Sequence, residues 1–196
     1  MHINRPISKQ PIPDNAKKVF GGVLFEVYQW EQELFDGTTT VFEKVKRRDT
    51  VVVFPVLPDG KIILTEQEQP GKKLFIGATG GGVEEGEDIL SAAKRELLEE
   101  SGYEAQEFIL WHADHPASQI DNVVYTFIAK GIKKVSDLNL DAGERIKLFT
   151  VTLDELIEIG TTNNDFYEKE IIPELFRAKL DPKKKEDLRE LFKPIN

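Results

Sequence analysis

The first half of the chain alternates between apolar and polar residues in a way that predicts two antiparallel hairpins. From Val19 to Lys46, partial alternation on both sides of Asp36-Gly37 predicts a small N-terminal antiparallel sheet, because Asp-Gly favours a tight hairpin turn. Residues 50–69, TVVVFPVLPDGKIILTEQEQ, place two apolar runs around Pro58-Asp59-Gly60 and predict a second hairpin. Its first run is apolar throughout, which is typical of a strand covered on both faces.

The second half interleaves helices with strands. After the glycine-rich GATGGG, the periodicity predicts a helix from about Asp88 to Ser101, ended by Gly102, since glycine readily takes the left-handed conformation of many helix ends. Apolar runs then predict strands within residues 105–113, 122–132 and 145–153. A short helix ending at Gly160 and two C-terminal helices follow, within 165–180 and 181–192, the last starting at Pro182. This order predicts a mixed α/β fold with helices on the sheet faces.

Composition is that of one globular unit. The chain has 196 residues, of which 40% are hydrophobic and 31% charged, as is ordinary for a folded domain. The first twenty residues are polar and rich in proline, unlike a secretory signal, and no segment reaches the ~18 apolar residues that span a bilayer. We therefore expect a cytoplasmic protein that does not bind membranes. The absence of cysteine excludes thiolate catalysis and a cysteine-ligated zinc.

The charge balance argues against a nucleic-acid partner. With 35 acidic and 26 basic residues, the net charge is −9, so a broad surface that follows a phosphate backbone is not expected. A small anionic substrate remains compatible with this charge, because a bound divalent cation can invert the local field at one site.

The acidic end of the first helix is the strongest sign of chemistry. Glu96 and Glu100 are i, i+4 neighbours with Glu99 beside them, at the end of a helix whose dipole is already negative. On a helical wheel, Glu100 deviates by only roughly 35° and Glu96 by roughly 75° from the mean apolar direction. A solvated charged face would point the other way. Clustered carboxylates instead favour a hard cation such as Mg²⁺, which prefers oxygen ligands.

The spacing around these residues resembles a known signature. It runs Gly81, five residues, Glu87, seven residues, and then Arg95-Glu96-Leu97-Leu98-Glu99-Glu100-Ser101-Gly102-Tyr103. The stretch resembles the Nudix box of the Nudix hydrolases, with Tyr103 where the family usually has a bulky aliphatic residue. The resemblance implies an α/β/α sandwich with a mixed sheet. It also implies hydrolysis, with Mg²⁺ or Mn²⁺, of a nucleoside diphosphate linked to another moiety.

The resemblance also implies roles for individual residues. Metal ligands would be Glu96, Glu99, Glu100 and the main-chain carbonyl of Gly80. Arg95 would orient the carboxylates through charge-assisted hydrogen bonds. The structural positions of the motif are Gly81, Glu87 and Gly102. For the catalytic base that activates water, Glu144 in LDAGERIKLF is the candidate, and Glu99 or Glu100 are alternatives; an ordinary exposed loop glutamate is an equally weighted interpretation of Glu144.

Outside the box, residues 23–156 resemble the ADP-ribose pyrophosphatase branch. In that branch the N-terminal sheet forms an intertwined homodimer, which implies a dimer here. We expect an N-terminal extension with a small sheet in 1–48, a catalytic domain in 49–160 and a helical segment in 161–196. Two departures weaken the assignment of substrate. Gly77-Ala78-Thr79-Gly80-Gly81 replaces Glu-Leu-Pro-Ala-Gly, and Gln67-Glu68-Gln69 replaces Gln-Tyr-Arg, so an expected phosphate-facing cation is either missing or supplied elsewhere.

Three further residues are candidates for contact with substrate. Trp30 could stack on a base, although aromatic residues in such a sheet more often form core or dimer contacts. Arg47 and Arg48 could bind phosphate, although exposed charges at a strand end are the more common interpretation. Three hypotheses follow: a metal-dependent pyrophosphatase giving AMP plus a sugar phosphate, a non-catalytic nucleotide sensor on the same fold, and a purely structural acidic helix.

Overall fold

The computed structural model describes residues 3–195; Met1, His2 and Asn196, at the ends of the predicted N-terminal and C-terminal parts, lie outside the described residues. The strands are β1 Lys17–Gly21, β2 Glu26–Glu33, β3 Thr39–Lys46, β4 Thr50–Pro55, β5 Ile62–Glu68, β6 Phe75–Gly77, β7 Thr79–Gly82, β8 Tyr103–Glu104, β9 Glu107–Asp114, β10 Ile120–Asp121, β11 Val124–Lys130, β12 Lys133–Lys134 and β13 Arg145–Val151. The helices are α1 Ile89–Ser101, α2 Leu153–Thr162, α3 Ile172–Leu180 and α4 Pro182–Leu191, with a 3-10 turn at Lys169–Ile171 before α3.

The N-terminal sheet has the order β1-β2-β3-β10. Strands β2 and β3 form the predicted hairpin, and Gly37 takes a positive φ of 81° in its turn. Strand β10 adds in parallel to β3 and so attaches this sheet to the rest of the molecule. Arg5 strengthens the attachment, since its guanidinium donates to Asp49 and to Asp121 over 3.0–3.1 Å. The prediction of a small N-terminal antiparallel sheet is confirmed.

The prediction that residues 50–69 form a second hairpin is wrong, because its two strands enter different sheets. The turn itself forms, because Gly60 N donates to Leu57 O over 2.9 Å, but only the single bridge between Val56 and Ile62 joins the two strands. Strand β4 instead enters a mixed sheet of order β7-β4-β11-β9, in which β4 and β11 are parallel. Strand β5 enters a separate antiparallel sheet of order β13-β5-β6. Both edges of β4 are taken by strands distant in sequence, so local turn chemistry did not decide its partner.

The position of β4 between two cores explains why its sequence is apolar throughout. Val51 and Val53 face a cluster that includes Ala92, Ala93 and Leu97 of α1. Val52 and Phe54 face the opposite cluster, which contains residues of α2, α3 and α4. Alternate side chains of one strand therefore enter two cores, as expected for a sheet with helices on both faces. The predicted mixed α/β architecture, with strands covered on both sides, is confirmed.

The C-terminal helices share the second core and do not form one of their own. Phe166, Leu175 and Phe192 are buried in the same cluster as Phe54. The Phe192 ring packs edge to face against Phe54 and Trp111, with ring centroids 6.3 Å and 5.3 Å apart. Pro182 lies in the first turn of α4, as predicted. In residues 3–195, no helix is both long enough and apolar enough to cross a lipid bilayer.

Local signals fixed the ends of α1 but not of α2. Asp88 caps α1 by accepting from Leu90 N and Ser91 N, and Gly102 ends it at φ 71°. Helix α2 starts with a capping box between Thr152 and Glu155, but it continues past Gly160 to Thr162, so the prediction that Gly160 ends it is wrong. Gly160 is instead a contact position, because a Cβ there would overlap the Leu175 side chain.

Gly160→Ala should therefore lower the free energy of unfolding. Helix propensity alone would raise it by about 1 kcal/mol, whereas overpacking against buried Leu175 should lower it by about 1–3 kcal/mol. We expect a net loss in urea unfolding. Gly82→Ala is the control, since a Cβ added at this position would have no other atom within 4 Å. A Gly160→Ala protein as stable as wild type would show that the contact with α3 does not limit residue size.

Candidate active site

The glycines of β7 let the helix carboxylates approach the sheet. A Cβ on Gly81 would lie 2.6 Å from Glu96 Cδ, and one on Gly80 would overlap the main-chain oxygen of Val51. Real Cβ atoms do not come that close, so a side chain at residue 80 would overlap the main chain of β4, and one at residue 81 would displace the Glu96 carboxylate. Glu96 is thereby packed directly on the strand and is 9% exposed.

Glu100 is buried more deeply, at 4% exposure, and one of its oxygens accepts from Gly80 N over 2.7 Å. Burial raises the pKa of Glu100 to about 9, and the negative charges of Glu96, Glu144 and Glu168 add to the shift. Burial raises the pKa of Glu96 as well. Both carboxylates point inward, as the helical wheel predicted, so the interpretation of a solvated acidic face does not apply to them.

Arg95 binds the rest of the acidic cluster. Its Nε and Nη2 donate to the two oxygens of Glu87, each over 3.0 Å. Its Nη1 donates to Glu96 over 2.7 Å and to Glu99 over 3.1 Å, and Nη2 also donates to the carbonyl of Gly82 over 3.0 Å. These charge-assisted bonds hold the pKa of Glu87 below its ordinary value. One guanidinium thus orients three carboxylates.

A cavity of about 220 Å³ opens beside this cluster. Gly80, Gly81, Gly82 and Glu100 form one side, and Glu144 enters from the loop before β13. Glu144 is half-buried, and its carboxylate accepts from Gln69 Nε2 over 3.4 Å. The structure therefore brings the predicted base to the same cavity as the buried end of α1.

The predicted substrate residues are distributed unevenly. Arg47 lines the cavity, whereas Arg48 is exposed and does not. Trp30 lies in the N-terminal sheet, 7% exposed, with its ring edge to face with Phe42 at 6.2 Å. Within one chain, Trp30 is not part of the cavity that contains Glu100.

Sequence reasoning missed Glu168. It is fully buried, its Oε1 accepts from Ala78 N over 2.9 Å, and its Oε2 has no hydrogen-bond partner in the described chain. Burial raises its pKa to about 8. A Cβ on Gly77 would lie 2.7 Å from Glu168 Oε1, so this carboxylate occupies the space that a larger residue 77 would need. The unusual glycine at position 77 was the available signal.

The sequence comparison decides the family. Residues 46–175, well over half of the chain, match the model of the NUDIX domain. The chain belongs to the Nudix family.

Individual relatives carry different names. The "Methanol dehydrogenase activator" of Bacillus methanolicus is 31% identical over 161 residues, which cover 80% of this chain and 86% of the relative. The "ADP-ribose pyrophosphatase" of Bacillus subtilis (strain 168) is 29% identical over 146 residues, covering 73% and 79%. A crystal structure titled "ADP compounds hydrolase" superposes with a TM-score of 0.67 at 23% identity, covering 89% of this chain and 95% of that one, and supports the Nudix fold.

Nudix hydrolases generally depend on a divalent metal, and the residues of this Nudix box fit one. Within residues 3–195, no three acidic or imidazole side chains already converge into a cage. The reason is local: Arg95 holds oxygens of Glu96 and Glu99, and Gly80 N holds Glu100. The carboxylates nevertheless offer only hard oxygen donors, which suit a divalent cation. Burial is the largest cause of the raised pKa values of Glu96 and Glu100, and a bound cation would favour their ionised forms.

The buried acids make metal-free stability depend on pH. Because Glu100 keeps its proton up to about pH 9 when folded but ionises near its ordinary pKa when unfolded, the folded state binds more protons between these limits. The melting temperature in EDTA should therefore fall as pH rises from 5 to 9. Glu100→Gln should flatten this slope, and Mg²⁺ should raise the melting temperature more at high pH than at low pH.

Glu104→Gln, an exposed site in β8, is the matched control and should keep the wild-type slope. Glu168 titrates in the same direction, so the difference between wild type and Glu100→Gln is the quantity to compare. An identical slope in Glu100→Gln would contradict the assigned pKa shift.

Proposed function

We propose that this Nudix enzyme hydrolyses the diphosphate of a nucleoside diphosphate derivative, ADP-ribose or a related ADP-sugar, to AMP plus a sugar phosphate. The observation that carries the proposal is the pair of buried carboxylates set against the glycine strand, Glu96 beside Gly81 and Glu100 at the side of the cavity. The name of one relative, the ADP-ribose pyrophosphatase of Bacillus subtilis, supports the class of substrate.

The metal, Mg²⁺ or Mn²⁺, would be held by Glu96, Glu99, Glu100 and the carbonyl of Gly80. When bound, such a cation neutralises the diphosphate and lowers the pKa of water. Arg95 acts as a positioning residue, because its hydrogen bonds fix Glu96 and Glu99 in their rotamers. Glycine at position 81 leaves free the space that the Glu96 carboxylate occupies.

Glu144 is the proposed base that takes the proton from the attacking water. Its one side-chain hydrogen bond in the described chain is with the neutral amide of Gln69, so its carboxylate keeps free lone pairs toward the cavity. The two alternatives are less suited in this arrangement. Glu99 is paired with Arg95, and Glu100 is buried with one oxygen on Gly80 N.

Arg47 would contact phosphate, while Arg48 and Trp30 would contact substrate only in an assembly larger than one chain. The chain would work in the cytoplasm, with residues 1–48, 49–160 and 161–196 as its N-terminal, catalytic and C-terminal parts. A non-catalytic sensor is not favoured, because the box keeps every charged residue and Arg95 engages three of them.

We also propose a homodimer through the N-terminal sheet. Large apolar side chains are exposed there, including Phe20 at 57%, Val23 at 97% and Val41 at 61%. Val19 and Val41 line one groove of this sheet together with Trp30. Exposed apolar residues concentrated on one element are typical of a protein interface.

Glu100→Gln should remain folded and lose at least about 100-fold in turnover of ADP-ribose with Mg²⁺, since it removes a buried negative charge at the metal site.

Glu144→Gln should lose about 10²–10⁴-fold in kcat and the acid limb of the pH profile, as expected for a general base. Products are identified by chromatography as AMP and ribose phosphate. Wild-type activity in Glu100→Gln, or tight metabolite binding by wild type without phosphate products, would reject the proposed function.

Val41→Glu should convert the dimer to a monomer, because it places a charge in the apolar groove at β3. Light scattering after size exclusion measures the mass. Lys133→Glu, on exposed β12 outside this sheet, is the control and should stay dimeric. A wild-type protein that is monomeric at micromolar concentration would contradict the proposed assembly.

A further inference from the structure

A tight turn places Lys72 beside the cavity. Lys72 N donates to Gln69 O over 3.0 Å, and Gly71 has a φ of 78°, with Pro70 before it. Proline followed by a glycine at positive φ is the sequence of a type II turn, so the backbone of Lys72 is fixed by its neighbours. The first residue of the turn, Gln69, also holds the proposed base Glu144.

Two aromatic rings from distant parts of the chain lie next to this turn. Phe75 of β6 and Tyr167 pack with ring centroids 4.8 Å apart and planes tilted by 34°. The backbone of Tyr167 is held at the edge of β6, since Ile76 N donates to Asp165 O over 3.0 Å and Tyr167 N donates to Ile76 O over 2.8 Å. Buried Phe166 anchors the same segment in the core. The two rings therefore form a fixed surface, although Tyr167 is 56% exposed.

The ammonium of Lys72 lies over both rings. Its Nζ is 5.6 Å from the centroid of Phe75 and 5.6 Å from that of Tyr167, within the range of a cation–π contact. Among residues 3–195, Lys72 forms no ion pair with a carboxylate, unlike Arg95, which binds three. Aromatic faces hold the ammonium in position but leave its charge unneutralised and its N–H donors free for an anion.

The position of this charge matches the need of the proposed reaction. Lys72, Phe75 and Tyr167 line the same cavity as Glu100 and Glu144. A diphosphate entering a chain of net charge −9 meets these carboxylates, and a bound metal offsets only part of the repulsion. Among the described residues, the cavity is lined by two cationic side chains, Lys72 and Arg47.

We propose that Lys72 binds the diphosphate of the substrate and that Phe75 and Tyr167 are the positioning residues that hold its ammonium at the cavity. This inference rests on the proposed function and adds the residue that recognises the anion. It also gives the C-terminal part of the chain, through Tyr167, a direct effect on substrate binding.

The test is calorimetric titration of the full-length protein with ADP and with inorganic pyrophosphate, both in the presence of Mg²⁺. Lys72→Met keeps the length of the side chain and removes its charge, so it should weaken both ligands by about tenfold, the effect of one charge-assisted contact. Lys73→Met, the neighbouring exposed lysine that does not line the cavity, is the matched control and should bind as wild type. Lys72→Arg should keep most of the affinity.

Tyr167→Leu tests the positioning role. It should weaken pyrophosphate binding by about threefold in the wild-type background and have no effect in Lys72→Met, because the ring acts only through the ammonium. Tyr167→Phe keeps the ring and should bind as wild type. In turnover of ADP-ribose, Lys72→Met should raise KM and leave kcat within about threefold, as expected for loss of uniform binding.

Equal affinities in Lys72→Met and Lys73→Met would overturn the role of Lys72, and so would additive effects of Lys72→Met and Tyr167→Leu. Weakened ADP with unchanged pyrophosphate would also overturn it, since the contact would then not be to the diphosphate. Pyrophosphate binding that depends on Lys72 in a wild-type protein unable to hydrolyse ADP-ribose would support Lys72 and reject the proposed function alone.

Discussion

The acidic end of α1 depends on one guanidinium. Without Arg95, the carboxylates of Glu96 and Glu99 would repel each other near the negative end of the helix dipole, and Glu87, which precedes the helix, would lose its two hydrogen bonds to the guanidinium. Arg95 satisfies part of this charge and leaves the deeper carboxylate, Glu100, to a single main-chain donor. The result is a site that is ordered before any cation arrives but still lacks positive charge. Arg95 therefore orders the carboxylates, and a bound cation would neutralise them.

The sheets bring the other groups of the site to this helix. Strand β4 packs on α1 through one face and on the C-terminal helices through the other, so both layers are aligned on a single strand. The loop that carries Glu144 precedes β13, and the segment that carries Tyr167 and Glu168 bridges β6, so the two reach the cavity from opposite sides of β5. Residues more than sixty positions apart in sequence contact each other there, as Gln69 and Glu144 do.

Features with local causes could be predicted from sequence, and those with distant causes could not. The bounds of α1 follow from Asp88 and Gly102, and the inward direction of Glu100 follows from helical periodicity. The partners of β4 depended on strands far along the chain, and Gly160 looked like a helix end because the contact with Leu175 is tertiary. Glu168 and Lys72 were missed for the same reason, since each gains its place from residues in another segment.

Phe192 shows that the packed core extends beyond the region of family similarity. The region of family similarity stops at residue 175, inside α3, yet Phe192 beyond it covers the rings of Phe54 and Trp111. A recombinant fragment that ends at residue 175 would expose these rings to water and lose part of the hydrophobic core. The smallest fragment of this enzyme that keeps the core intact therefore extends beyond α4 to include Phe192.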